Sequence, residues 1–220
     1  MKRKGIVYML IILISLFMLP NNHLNESYGD KLFQSMGIPV WTENNQSGFH
    51  LSLLVFLSLL IFGISRTVKL YRPTFPKILS RIILSCIAFI LLFPIVSEKM
   101  TFMLKKNTTG IYSIDYNKKD SACSFNWEER TVSANCKFTF FNYGKEERIA
   151  VKPIFENNAI DFEEQTFSIA PHDKVSFRAQ FDGKYMEGTG RLSELYDLHI
   201  SELRGFGVEV QAGDEWKQFY

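Results

Sequence analysis

The sequence predicts two halves: a membrane-embedded, α-helical N-terminal half with three transmembrane helices, and an all-β C-terminal domain folded as an antiparallel sandwich. Three observations predict this. Three apolar runs, separated by polar loops, lie within the first 104 residues. Charge divides along with them: residues 1–100 hold ten Lys/Arg against four Asp/Glu, and residues 101–220 hold fifteen against nineteen. Beyond residue 110 the apolar period shifts from that of a helix to the alternation of a strand, and two of the three cysteines lie there.

The first run, Gly5 to Leu19, follows Lys2, Arg3 and Lys4. Its exit, Met18-Leu19-Pro20-Asn21, has no small-x-small cleavage pattern, so an uncleaved anchor over 5–20 is expected rather than a removed signal peptide. The loop 21–48 carries Glu26, Asp30 and Glu43 against Lys31. Within it Leu32, Phe33 and Met36 share one face of a short helix over 30–36, ended by Gly37 and Pro39. Trp41 is expected as an anchor at headgroup level. The second span runs over 49–65, with His50 at its end as an interfacial side chain. Ser52 and Ser58 can bond to preceding helical carbonyls and mark no polar pathway.

The loop 66–81 carries Arg66, Lys69, Arg72, Lys77 and Arg81 and no acid, and Pro73 and Pro76 interrupt the helix there. Together with Lys2, Arg3 and Lys4, these cations place the N-terminus and this loop in the cytoplasm by the positive-inside rule. The third run, Ile82 to Val96, has eleven Ile, Leu, Phe or Val among its 15 residues. They favour insertion by roughly 3–7 kcal/mol. Fifteen residues at ~1.5 Å each reach only ~22 Å, so the span is expected to continue through Leu104, with Glu98 and Lys99 reaching into headgroups. Cys86 within it reads as a small apolar residue. No Asp, Glu, Lys or Arg lies mid-span, which argues against a transporter or channel acting alone. Three spans put the C-terminal half outside an integral plasma-membrane protein. Abundant Lys, Ile, Asn and Phe suggest a bacterial source.

Residues 105–110 read as a polar tether to a domain over 111–220. Folding the chain back about Glu129-Arg130 sets Cys123 opposite Cys136, Phe125 opposite Ala134 and Trp127 opposite Val132, with every apolar side chain on one face. A Cys123–Cys136 bridge would close about 14 residues and contribute about 3 kcal/mol in the chain-entropy model; an oxidising compartment permits it. It is expected to be structural. Further strands are expected over 111–116, 149–155, 166–170, 175–181, 196–200, 206–210 and 216–219, and residues 188–196 also fit a helical turn.

An alternating strand from Cys136, the turn Asn142-Tyr143-Gly144, a strand, the turn at Ala170-Pro171 and an alternating strand to Phe181 follow one another in order. This resembles the Ig-like and fibronectin-like modules of bacterial envelope proteins. The chain departs from antibody domains in placing its cysteine pair within one hairpin rather than between sheets.

No Cys-x-x-Cys, His-Glu-x-x-His, Gly-x-Ser-x-Gly or phosphate-cradling glycine motif occurs. His23, His50, His172 and His199 are scattered. Asp115-x-Asn117-x-x-Asp120 offers oxygens but lacks the glycine and terminal Glu of an EF-hand, which favours a solvated turn. No catalytic residue, cofactor or metal is expected, and no basic-aromatic stripe suggests nucleic acid. Asn25, Asn45 and Asn107 head glycosylation sequons that matter only in a eukaryotic host. These observations imply a non-enzymatic, membrane-anchored extracytoplasmic binding module of the cell envelope. Its partners would be the lipid bilayer and a protein or envelope polymer. The alternatives are a small accessory subunit of a multi-span complex and a thiol-redox protein using Cys123 and Cys136.

Overall fold

A computed structural model describes residues 2–43, 47–128, 131–154, 160–185, 203–204 and 206–219. It divides into two compact units, Met1–Lys99 and Met100–Tyr220.

The first unit is helical. α1 (Lys2–Met18) and α2 (Tyr28–Ser35) are followed by a hairpin of β1 (Trp41–Glu43) and β2 (Ser47–His50), then α3 (Leu51–Tyr71) and α4 (Ile78–Lys105). Ser27 caps α2, its hydroxyl accepting from the Asp30 N–H at 3.0 Å, which starts this helix earlier than Asp30 itself. Gly37, with φ +70°, follows its end as the sequence predicts. Two helices, α3 and α4, are long and apolar enough to cross a bilayer; α1 is a shorter apolar helix. α3 begins two residues later than the predicted span, because Phe49 and His50 belong to the hairpin, in which Trp41 pairs with His50. It then continues through Arg66 and Lys69 to Tyr71, ahead of Pro73. Trp41, expected as a headgroup-level anchor, sits on β1 with its ring edge-on to His50 at 4.5 Å.

α1 and α3 approach closely at Gly63, where a Cβ would come within 2.9 Å of Ile12 and 3.3 Å of Ile11. Leu16, Leu60 and Cys86 form the buried centre where α1, α3 and α4 meet. Most other apolar side chains point outward; Leu84 and Leu91 are each 69% exposed.

The second unit is antiparallel β. A 3₁₀ turn (Gly110–Ser113) leads into β3 (Ile114–Tyr116), then β4 (Ala122–Glu128), β5 (Thr131–Asn142), β6 (Arg148–Ile154), β7 (Ile160–Phe162), β8 (Gln165–Ser168) and β9 (Asp173–Tyr185). β10 (Leu203–Arg204), β11 (Gly207–Ala212) and β12 (Glu215–Phe219) follow. One sheet runs β10-β4-β5-β9-β7, with β3 also on β5; the other runs β12-β11-β6-β8. Alternation supplies the shared core: Val132, Ala134, Phe138, Phe140 and Phe181 from the first sheet cluster with Ile149, Val151, Val208 and Val210 from the second.

The β4–β5 register is the one read from the sequence, pairing Cys123 with Cys136, Phe125 with Ala134 and Trp127 with Val132. Three expectations differ. Residues 111–116 were expected to be strand throughout, but the Ser113 hydroxyl donates to the Gly110 carbonyl at 2.7 Å and Gly110 takes φ +71°, so the chain turns before β3. Residues 105–110, expected as a tether, are tied down: Lys105 pairs with Asp115 at 3.0 Å, Lys145 N–H donates to the Thr108 carbonyl at 3.2 Å, and Gly110 N–H donates to the Glu146 carboxylate. β7 was not anticipated; Gly183 on β9 admits Ile160 and Phe162 where a Cβ would lie 2.6 and 2.8 Å from them. The strand expected over 196–200 and the turn over 188–196 lie outside the described residues.

Candidate functional site

The cations expected to set topology gather at one end of the helical unit. Lys2, Arg3 and Lys4 open α1, Arg66 and Lys69 lie in the last turns of α3, Arg72 caps it, Lys77 follows in the loop and Arg81 is in the first turn of α4. The start of α1 meets the end of α3 where Gly5 lies against the Tyr71 ring. Cations in the first turns of α1 and α4 oppose the helix dipole. Their position therefore owes nothing to helix stability.

Farther from this end, Asp30, His50 and Ser52 form a polar cluster that sequence reasoning missed. The Ser52 hydroxyl donates to the Asp30 carboxylate, and His50 Nε2 lies 3.5 Å from its other oxygen. His50 caps α3, its Nδ1 accepting from the Leu53 N–H at 3.3 Å, which leaves the proton on Nε2 facing Asp30. The cluster borders an open cleft of about 680 Å³ with Trp41, Asn21 and Pro94. Ser52 is 2% exposed, and its hydroxyl lies between the Asp30 carboxylate and His50 Nδ1, 3.2 Å from the latter. The arrangement fastens α2 to the start of α3. Histidine is not among the favoured N-caps, so the sequence carried little signal of it.

In the β unit, Cys123 and Cys136 are disulfide-bonded and their residues are 0% and 1% exposed. The oxygens of Asp115-x-Asn117-x-x-Asp120 are engaged separately. Asp115 pairs with Lys105 at 3.0 Å and faces Lys217 at 3.6 Å, while Asp120 pairs with Lys174 at 2.9 Å and accepts from Asn117 Nδ2 at 3.1 Å. No metal-binding cluster of His, Cys, Asp or Glu occurs among the described residues. Burial pushes the Tyr116 phenol above its ordinary pKa, and the nearby Ser121 hydroxyl offsets this only in part.

The outward face of β4-β5-β9 is the surface best built for binding. Along it Ser124, Asn135 and Gln180 align across the three strands, and Asn126, Ser133 and Asp182 align in the next row. Gln180 Nε2 donates to the Ser133 hydroxyl at 3.0 Å, which fixes both. In the row beyond Asn135, Lys137 stands directly opposite Arg178, with Ala122 on its other side and Arg204 in register next to Ala122. Lys137 and Arg178 are exposed, and neither has a carboxylate partner among the described residues. They line an open concavity of about 570 Å³ with Ser124 and Asn135, and the small Ala122 leaves room there. Like charges placed directly across strands destabilise a sheet. Strand parity alone could have put Lys137 beside Ala122; the β5–β9 pairing that adds Arg178 is non-local.

No known protein family, no curated protein and no solved structure matches this chain.

Proposed function

We propose that this chain is a membrane-anchored binding module for a partner bearing carboxylates or phosphates. Three helices, α1 included, span the membrane over about 5–20, 49–65 and 82–104. The N-terminus and the loop 66–81 face the cytoplasm, and the β unit forms an Ig-like sandwich on the outer face of a plasma membrane. The observation that carries the binding assignment is the Lys137–Arg178 pair. Two unneutralised cations share a preorganised, amide- and hydroxyl-rich sheet face at a cost that an anionic partner would relieve. The grouping of eight cations at one end of the helical unit supports the topology.

Full-length protein in nanodiscs should bind a polyanion probe, such as polyglutamate or polyphosphate, with affinity that falls as salt rises. Lys137→Ser with Arg178→Ser should weaken it at least tenfold. Unchanged binding by the double variant would sink the assignment. An impermeant protease added to intact cells should remove the β unit; protection until lysis would reverse the topology.

Burial of both sulfurs argues against the redox alternative, because an attacking thiolate needs access. The accessory-subunit alternative draws on the exposed apolar flank of α4, where Leu84, Leu91, Leu92 and Ile95 all point outward. Replacing the helices with an unrelated anchor separates it: function persists for a binding module and is lost for a subunit.

A further inference from the structure

The helical unit holds a second surface that the anchoring role does not use. Close contact of α1 with α3 at Gly63 leaves a groove of about 320 Å³ between α1, α3 and α4, walled by Ile12, Leu13, Leu16 and Ile82. Arg81, Thr67 and Ser85 interrupt this apolar lining, the first two at its basic end. Arg81, in the first turn of α4, is exposed and has no carboxylate partner among the described residues. Thr67, in the penultimate turn of α3, is 1% exposed, and its hydroxyl has no hydrogen-bond partner among the described residues. A helical threonine ordinarily bonds back to a carbonyl of the preceding turn. A buried hydroxyl that forgoes such a bond is costly unless something else fills it.

We propose that this groove seats one phospholipid with an anionic headgroup. The guanidinium of Arg81 meets the phosphate through paired N–H donors, the Thr67 hydroxyl bonds a headgroup or ester oxygen, and one acyl chain lies along Ile12, Leu13, Leu16 and Ile82. Arg81 and Thr67 sit at the basic end of the helical unit and the apolar wall runs away from it, which is the polarity of a lipid in the cytoplasmic leaflet. The volume lies at the low end of ligand cavities and suits a single chain. This inference rests on the membrane placement of the helical unit and is independent of what the β unit binds.

The test is native mass spectrometry of the full-length protein released from detergent, offered phosphatidylglycerol or phosphatidylcholine with identical chains. One phosphatidylglycerol should be retained in preference to phosphatidylcholine. Arg81→Gln should lower its apparent affinity about tenfold and Thr67→Val about threefold, while Leu13→Trp, which fills the groove, should abolish retention. Lys77→Gln, just before α4 and outside the groove, should change nothing. Equal losses for Arg81→Gln and Lys77→Gln would reduce the effect to diffuse loop charge and overturn the site. Equal retention of the two lipids, or of neither, would overturn it as well. Flotation of each variant with membranes reports separately on the anchoring, so failure of that reading is seen independently.

Discussion

The two units use similar side chains in opposite senses. In the β unit Phe138, Phe140, Val151 and Val208 are fully buried in one cluster shared by two sheets. In the helical unit Leu84, Leu91, Ile95 and Ile61 are more than half exposed, and the buried apolar side chains are few: Leu16, Leu60 and Cys86 in one cluster, with Phe56 and Phe93 outside it. An apolar patch of that extent would aggregate in water. The difference teaches that apolar content alone does not locate a core. The β unit is organised by exclusion of water. In the bilayer placement proposed above, the helical unit would be organised by close backbone approach at small residues such as Gly63, since lipid tails are as apolar as leucine.

The sharpest way to break this contrast is to truncate matched residues. Phe138→Ala should cost the β unit about 3–5 kcal/mol, through lost transfer energy and a cavity among Phe140, Phe177 and Phe181. Leu91→Ala on α4 should cost about 0.5 kcal/mol or less in a bilayer, where lipid replaces the lost contact. Denaturant titration in nanodiscs measures both, and comparable losses would mean that α4 packs against protein there. Next in size is the bridge. Cys123→Ser with Cys136→Ser, which opens a link across 13 positions, should cost about 3 kcal/mol. The calorimetric transition of the β unit should fall accordingly while that of the helices does not; a fall in both would show that the units unfold together.

How much was legible in the sequence follows the same division. The Cys123–Cys136 register could be read because the strands are adjacent in sequence and the side-chain period admits a single alignment with all apolar residues on one face. Helix positions were legible in outline from length and hydropathy, and the C′ glycine of α2 from local chemistry, but its cap Ser27 was not read and the helix starts earlier than expected. Pairings between distant segments were not. Nothing local announces that Lys137 will face Arg178, that Gly183 will admit Ile160, or that Asp30 will accept a hydrogen bond from Ser52 22 positions away. The 3₁₀ turn at Gly110–Ser113 was missed because the alternation of Ile111 and Ser113 mimics a strand, and only the positive φ at Gly110 decides otherwise.

If close approach organises the helical unit, Gly63 carries more weight than any single leucine on its surface. Gly63→Val should push α1 from α3 and cost about 1–3 kcal/mol, because the new side chain meets Ile12 and the Tyr8 carbonyl in a contact with no slack. Gly37→Ala provides the control: nothing lies within 4 Å of an added Cβ there, and only its φ of +70° is strained. The control should leave α1–α3 disulfide cross-linking unchanged while Gly63→Val abolishes it; equal cross-linking in both would remove close approach as the organising contact.

The smallest expected effect probes water exclusion in the β unit at a single atom. The Tyr116 hydroxyl is buried among Phe140, Phe206 and Phe219 with the Ser121 hydroxyl near it but no well-formed hydrogen bond among the described residues, so Tyr116→Phe removes a poorly satisfied group and should stabilise the unit by about 1 kcal/mol or less. The same burial fixes the sign of an alkaline effect. Above the ordinary phenol pKa of about 10 the unfolded chain releases this proton while the folded chain, its pKa raised, keeps it. The unfolded state then binds fewer protons, and stability falls as pH rises beyond about 10. Tyr116→Phe should flatten that decline relative to the parent. Identical alkaline slopes in the two proteins would place water at the phenol, and the core that two sheets enclose would be wetter on its Tyr116 side than on its Phe138 side.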